Sequence, residues 1–459
     1  MLISRRIVIL ILFALLLRLI SLDQSLWLDE ATTAKVVNSE SFVTIISSFS
    51  PFDFHPPLYY LFMKFWKLLF GTSEIALRFP SVLFSILAGY VIYRIGRLLK
   101  NEASGLLATA LFLFNPLIVY YSQEARMYMM AVFFVSVSFL FFLQYLKQRH
   151  LSFFFLHLAF FGLSLLTFYG SLFYFVTTLF YLLLKKRYKE LAFSFAFIGA
   201  ILLVISPLLS QQLINAKRSL AISPAWSQVL GKASLKNLLL IPLKFSSGRI
   251  SFEPKILYYL FSGISALVVF YYVTKGSLKN RLLSIFFLIP LVLGVIVSFI
   301  SPLLQYFRFL YLIIFMCLLL SLGIKSRIGK ILVLTVFIVS SLAYLLYSPF
   351  HREDWKGLVF ALPEEKQIFI IDSSSDPLKY YGRSWLRGRI FDLRNLSKQA
   401  RDKEIVVIPY TADIHGVNYK ETLTNLKYKL TKVVSFRGVT YEVWSLPFPD
   451  FRQVDVYIR

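Results

Sequence analysis

Along residues 1–349 the side chains fall into long apolar blocks, with charge confined to the gaps between them. A helix rises about 1.5 Å per residue, so crossing a bilayer takes about 20 mostly apolar residues. Eleven blocks reach or nearly reach that length, at about 5–22, 80–98, 103–121, 127–146, 151–168, 171–184, 191–209, 256–274, 282–301, 306–324 and 328–347. They predict an all-α polytopic membrane body of about eleven transmembrane helices.

The gaps test that reading, because Lys and Arg collect in short cytoplasmic loops. Arg97 and Lys100, Lys147 and Arg149, Lys185 to Lys189, Lys275 to Arg281 and Lys325 to Lys330 all fall in alternate loops, on the side of the N-terminus. The other short connections, such as Tyr169-Gly170-Ser171, are nearly uncharged. The N-terminus is therefore expected in the cytoplasm and the C-terminal region outside, as a multi-pass protein of the plasma or inner membrane.

The alternation holds only if Pro57 to Phe70 does not cross. That stretch is short and carries Lys64 and Lys67 near its end, as an amphipathic juxtamembrane helix would. Two long outer loops follow from this topology, 23–79 and 210–255, and loops held by a rigid scaffold commonly carry function. Arg5 and Arg6 before an apolar run resemble a signal peptide, but no small-residue cleavage site follows, so a retained first span is expected.

From residue 349 the pattern changes. Strand-like runs Ile368 to Asp372, Ile405 to Pro409 and Val439 to Leu446 alternate with helix-like stretches, which predicts a small α/β extracytoplasmic domain over 349–459 beside a membrane domain over 1–348.

Composition agrees with this division. The chain is 58% hydrophobic and 17% aromatic, more apolar than soluble domains, at about 45–50%. Residues 1–349 hold 10 of the 24 acidic groups and 31 of the 49 basic ones. The net charge of +25 sits in short loops between apolar runs, so topology and anionic membrane lipids explain it better than nucleic acid. Cys317 is the only cysteine, which excludes an internal disulfide.

Four polar groups interrupt this pattern on the outer side. Trp27-Leu28-Asp29-Glu30 places two acids just after the first span; one can serve as a general base, or both can simply complement a helix N-terminus. His55-Pro56-Pro57-Leu58-Tyr59-Tyr60 displays His55 where a double proline starts a helix, either as a metal or phosphate ligand or as a plain loop-to-helix junction. Ser122-Gln123-Glu124-Ala125-Arg126 puts an acid and a base on the same face, as a site or as a structural ion pair. Arg308, near the outer end of its block, suits bidentate phosphate binding, with snorkelling to headgroups as its alternative. Lys217, Arg218 and Arg249 read as solvated, and Arg18 and Arg94 lie away from the outer face.

In this order, and with Arg78-Phe79-Pro80-Ser81 between them, these motifs resemble the C-type membrane glycosyltransferases of the protein mannosyltransferase and lipid A aminoarabinose transferase superfamily. Gln305-Tyr306-Phe307-Arg308-Phe309-Leu310 and Arg352-Glu353-Asp354-Trp355-Lys356 are similar to later landmarks of its bacterial and archaeal members. The resemblance implies the C-type fold with juxtamembrane helices, a polyprenyl-phosphate sugar donor, inversion at the anomeric carbon and a catalytic acid in the first outer loop, here Asp29 with Glu30 beside it. It also implies a hexosyl- or pentosyltransferase acting on a glycan, lipid or protein acceptor.

Within that frame Glu124 joins the catalytic set, and Arg126, Arg308 and His55 are expected at the donor phosphate. The loop around Glu124 lacks the Asp-x-Asp of the metal-dependent oligosaccharyltransferases, so no cofactor is expected to be obligatory, while a divalent metal ion on His55 and Glu124 stays open. A transporter or flippase for lipid-linked sugars is the rival, since it too needs basic groups and a lipid groove. Inverted repeats with broken mid-membrane helices, the mark of such carriers, are not evident. A non-catalytic receptor would leave Asp29 and Glu124 without a task.

Overall fold

The structure, a computed structural model, describes residues 4–447 apart from 224, 383–385 and 387; the end of the expected C-terminal domain, 448–459, lies outside the described residues. The chain forms two compact units, Met1–Asp23 with Val36–His351, and Gln24–Lys35 with Arg352–Arg459.

The first unit is helical. Among the described residues, six helices are long and apolar enough to cross a membrane by length and composition: Glu74–Leu99, Tyr128–Gln148, Tyr188–Ile222, Lys255–Ser277, Arg281–Ser298 and Arg327–Leu346. The pair Glu102–Leu113 and Pro116–Ser122, bent by 62°, makes a seventh if taken as one span. The other expected blocks hold shorter helices, Arg5–Leu19, Leu151–Thr167, Leu172–Leu184 and Leu312–Gly323. The chain is thus a multi-pass membrane protein, but the count of eleven full-length spans is not what the helix lengths give.

Local chemistry explains the differences. Asn115 accepts the Leu117 and Ile118 N–H groups at 3.0 and 3.2 Å and Pro116 follows it, so a new helix is capped where the old one stops. The block from 306 opens as a 3-10 turn, Tyr306–Phe309, before its α-helix begins. The helix Tyr188–Ile222 continues through what was expected to be loop from Ser210; its 35 residues span about 52 Å, well beyond a hydrocarbon core of about 30 Å. Leu58–Phe70 is a separate 13-residue helix that buries Tyr59, Tyr60 and Met63. At about 20 Å it is too short to cross.

Buried polar side chains hold this unit together at helix ends. Arg18 has no exposed surface and donates to Ser85 Oγ, the Ala14 carbonyl and the Leu113 carbonyl at 2.9, 2.9 and 2.8 Å. Gln123 returns the favour, donating to the carbonyls of Arg18 and Ile20 at 2.9 and 2.7 Å. The carbonyls of Leu113, Arg18 and Ile20 lie at helix ends, which leave such groups without an intrahelical donor.

Two glycine pairs set close helix approaches. A Cβ on Gly105 would lie 2.6 Å from the Tyr93 carbonyl oxygen, and one on Gly96 2.8 Å from Gly105 Cα. A Cβ on Gly276 would collide with the Leu319 carbonyl, and one on Gly323 with that of Tyr272. Small residues are how membrane helices pack backbone to backbone.

The second unit is built on a five-stranded mixed sheet of β1 (Gln367–Ile370), β2 (Ile390–Asp392), β3 (Glu404–Val407), β4 (Lys429–Phe436) and β5 (Val439–Ser445), in the order β2-β1-β3-β5-β4. β1 runs parallel to β2 and β3, and β5 antiparallel to β3 and β4. Period-two alternation sends Ile368, Ile370 and Val406 to one apolar layer with Trp355 and Leu358, and Phe369, Ile405 and Val407 to the other with Leu393 and Leu423. β2 and β4 were not expected, because β2 has three residues and β4 is largely exposed, so neither shows an apolar run.

Candidate functional site

In the first unit, the loop Gln123-Glu124-Ala125-Arg126 links the helices Pro116–Ser122 and Tyr128–Gln148. It is almost completely enclosed, with Glu124 1% and Arg126 5% exposed. The motif Arg78-Phe79-Pro80-Ser81 holds it. Ser81 Oγ donates to the Glu124 carbonyl at 2.5 Å, and Arg78 donates to the Leu22 carbonyl at 2.9 Å. Pro80 has no N–H, which frees the Ala76 carbonyl four residues back; the Trp66 indole takes it at 2.8 Å.

Arg126 donates to the Tyr60 hydroxyl at 3.0 Å, and Tyr60 is hydrogen-bonded in turn to Asp53. The Asp53 carboxylate meets His55 Nδ1 at 3.1 Å. Burial pushes the Asp53 carboxyl up, but His55, Arg126 and Tyr60 together outweigh it and leave the pKa below its ordinary value. Gln212 pins the loop by donating to the carbonyls of Ser50, Asp53 and His55 at 2.8, 2.9 and 3.1 Å. The structure therefore gives His55 a carboxylate neighbour that sequence reasoning passed over.

Arg249 corrects a second expectation. Its side chain is solvent-accessible but not simply solvated: it donates to the Tyr120 hydroxyl at 3.0 Å, its Cζ lies 4.8 Å from the centre of that ring, and Glu124 is among its electrostatic neighbours. Tyr120 packs on Tyr121 and Tyr344, and Tyr121 and Tyr128 both meet Phe307. An aromatic wall thus joins the Glu124 loop to the 3-10 turn bearing Arg308. Arg308 itself is half-buried and donates to the Pro302 carbonyl at 3.3 Å. Lys217 and Arg218 are exposed. Among the described residues no three His, Cys, Asp or Glu side chains converge as a metal site would need.

Asp29 and Glu30 belong to the second unit. They occupy the first turn of the helix Leu28–Ser39, where the helix dipole favours carboxylates. Their environments diverge. Glu30 has no exposed surface, accepts the Trp27 N–H at 3.4 Å and lies 4.0 Å from Arg352 Nε. Asp29 is half-buried. Burial first, then Glu353 and Asp29, pushes the Tyr410 hydroxyl well above its ordinary pKa, and that hydroxyl donates to Glu353 at 3.3 Å. Of the motif Arg352-Glu353-Asp354-Trp355-Lys356, Arg352 faces Glu30, and the Lys356 N–H donates to Ser25 Oγ at 3.1 Å.

Comparison with known proteins gives the fold. The structure aligns with that of ArnT from Cupriavidus metallidurans in the apo state, with a TM-score of 0.55 at 12% identity over 95% of this chain and 97% of that one. The same protein bound to undecaprenyl phosphate aligns at 0.54 and 13%, over the same shares. The oligosaccharyltransferase AglB from Archaeoglobus fulgidus, in complex with an inhibitory peptide and a dolichol-phosphate, aligns at 0.56 and 12%, over 95% of this chain and 74% of that one. This is the fold of the C-type membrane glycosyltransferases. Residues 54–210, which contain His55, Glu124 and Arg126, match the family described as dolichyl-phosphate-mannose-protein mannosyltransferase, and no curated protein sequence matches the chain. The likeness to that family is confined to this segment, about a third of the chain, and the solved structures show the fold over nearly its whole length.

Proposed function

We propose that the protein transfers a sugar from a polyprenyl-phosphate donor to a glycan, lipid or protein acceptor on the extracytoplasmic face of the cell membrane, with inversion at the anomeric carbon. Asp29 is the general base. The observation that carries this reading is the contrast within one helical turn: Glu30 is wholly enclosed beside Arg352, while Asp29 keeps access to solvent. The solved relatives bound to undecaprenyl phosphate and to dolichol-phosphate support the class of donor.

In the reaction an acceptor hydroxyl or amine attacks the anomeric carbon from the face opposite the phosphate. Its proton passes to Asp29 as the new bond forms, the bond from the anomeric carbon to the phosphate oxygen breaks, and polyprenyl phosphate leaves with the electron pair. A positioned base contributes roughly 10²–10⁴-fold. Negative charge grows on the leaving phosphate, so fixed cations stabilise the transition state more than the ground state. Arg308 and Arg126 take that role, and Arg249, held over Tyr120, is a third candidate. The resemblance to zinc-bound AglB leaves a divalent ion open at His55, where the carboxylate in contact is Asp53; the steps above do not run through it. The alternation of basic loops supports a cytoplasmic N-terminus.

The test is purified protein in liposomes carrying a labelled polyprenyl-phosphate sugar and an acceptor mixture. An acceptor-linked product of inverted configuration supports transfer. Movement of the intact donor across the bilayer with no transfer product replaces this reading with a transporter.

A further inference from the structure

The segment Gln24–Lys35 is far from the C-terminal residues along the chain but folds into the same unit, and contacts tie it there at nearly every turn. The Arg352 N–H donates to Gln24 Oε1 at 3.5 Å, the Lys356 N–H to Ser25 Oγ at 3.1 Å, and the Leu26 N–H to the Tyr381 hydroxyl at 2.7 Å. Thr32 and Lys35 hold the two oxygens of Asp376 at 2.9 and 3.0 Å. Between these tethers sits Glu30, its side chain 0% exposed beside that of Arg352 at 2%.

Glu30 is held from two directions. It reaches back to the Trp27 N–H as the acid of a capping box does, and it faces the Arg352 guanidinium. A charge pair removed from water is strongly attracted, because little solvent screens it, and its geometry is correspondingly defined. Asp29 precedes Glu30 by one residue, a rotation of about 100° about the helix axis. Whatever fixes Glu30 therefore fixes where the Asp29 carboxylate points.

We infer that Glu30 and Arg352 are positioning residues for sugar transfer: their enclosed pair sets the first turn of the helix that presents Asp29. On this reading the C-terminal unit holds the helical turn that carries the base. The inference rests on the assignment of Asp29 as base. A displacement of about 1 Å at a reacting group costs on the order of 10²-fold in rate, so a modest rotation of this turn is enough to matter.

The test compares R352Q, R352K, E30Q and D29N in the full-length protein in lipid nanodiscs. R352Q and E30Q are expected to lower kcat by about 10–10²-fold, with the KM for polyprenyl-phosphate sugar little changed. R352K keeps the charge but not the planar fork, and is expected to restore part of the loss. Amide hydrogen exchange over residues 28–33 rises in R352Q, while exchange in the helix Tyr128–Gln148 does not. Folded R352Q and E30Q with wild-type kcat would overturn the inference, as would a loss of kcat with exchange over 28–33 unchanged. If D29N keeps the wild-type rate, the base assignment fails, and exchange still reports whether the pair orders the turn. If D29N is inactive and R352Q is not impaired, the positioning role alone fails. Should R352Q not accumulate as folded protein, the isosteric E30Q carries the same test.

Discussion

Ser81→Ala isolates the bond that holds the Glu124 loop. Ser81 is 2% exposed and Glu124 1%, so no bulk water replaces the hydroxyl that donates to the Glu124 carbonyl at 2.5 Å and approaches that of Arg126 at 3.4 Å. Losing a donor to a buried carbonyl costs about 1–3 kcal/mol. Ser136→Ala is the control, because Ser136 is equally enclosed but donates at 2.7 Å to Phe133, three residues back in its own helix; that bond competes with main-chain bonding and adds little. Unfolding in mixed micelles should therefore show S81A less stable by about 1–3 kcal/mol and S136A near wild type. If about half of that cost appears as displacement of Glu124 and Arg126, the transfer rate falls by about 2- to 12-fold. Equal effects of the two substitutions on both stability and rate would refute the view that Ser81 anchors the loop.

Other outcomes follow from the same geometry. Gly276→Ala drives a methyl group into the Leu319 carbonyl, so the helices Lys255–Ser277 and Leu312–Gly323 must separate. A loss of about 1–3 kcal/mol is expected, read as a lower unfolding temperature, whereas Gly263→Ala, with open space where its Cβ would lie, should have no such cost. The Asp53 carboxyl is depressed from its ordinary 3.8, so its contribution to stability is fully present above that value and is lost as pH falls through the lower folded value. Asp53→Asn should destabilise the protein at neutral pH and flatten the loss of stability below about pH 4; an acid limb as steep as wild type would contradict this.

Much of this architecture is legible in the sequence because membrane proteins write topology in coarse patterns. Apolar length marked a helix at every block, and the double proline before Leu58 marked the start of Leu58–Phe70 to within one residue. What escaped was chemistry that arises only when distant segments meet. Arg249 looks solvated in a loop, and nothing near it in sequence announces Tyr120. Asp53 sat two residues from His55 but drew no notice beside the more conspicuous Asp29-Glu30. Better signals were present: Pro80 requires a donor for the Ala76 carbonyl, and Trp66 supplies it. The second unit was the hardest to foresee, since its boundary near residue 349 is visible as a rise in acidic content while its annexation of Gln24–Lys35 is not. The motif around Arg352 resembles a landmark of the C-type membrane glycosyltransferases, but nothing in it reveals that Arg352 faces Glu30.

The central claim is that Asp29 is the base of a sugar transfer. Its most direct test is single-turnover transfer by Asp29→Asn with saturating polyprenyl-phosphate sugar, because that substitution keeps the shape of the side chain and removes the basic oxygen. The account predicts a rate lowered by roughly 10²–10⁴-fold with donor affinity little changed. A folded Asp29→Asn protein that transfers sugar at the wild-type rate would contradict it.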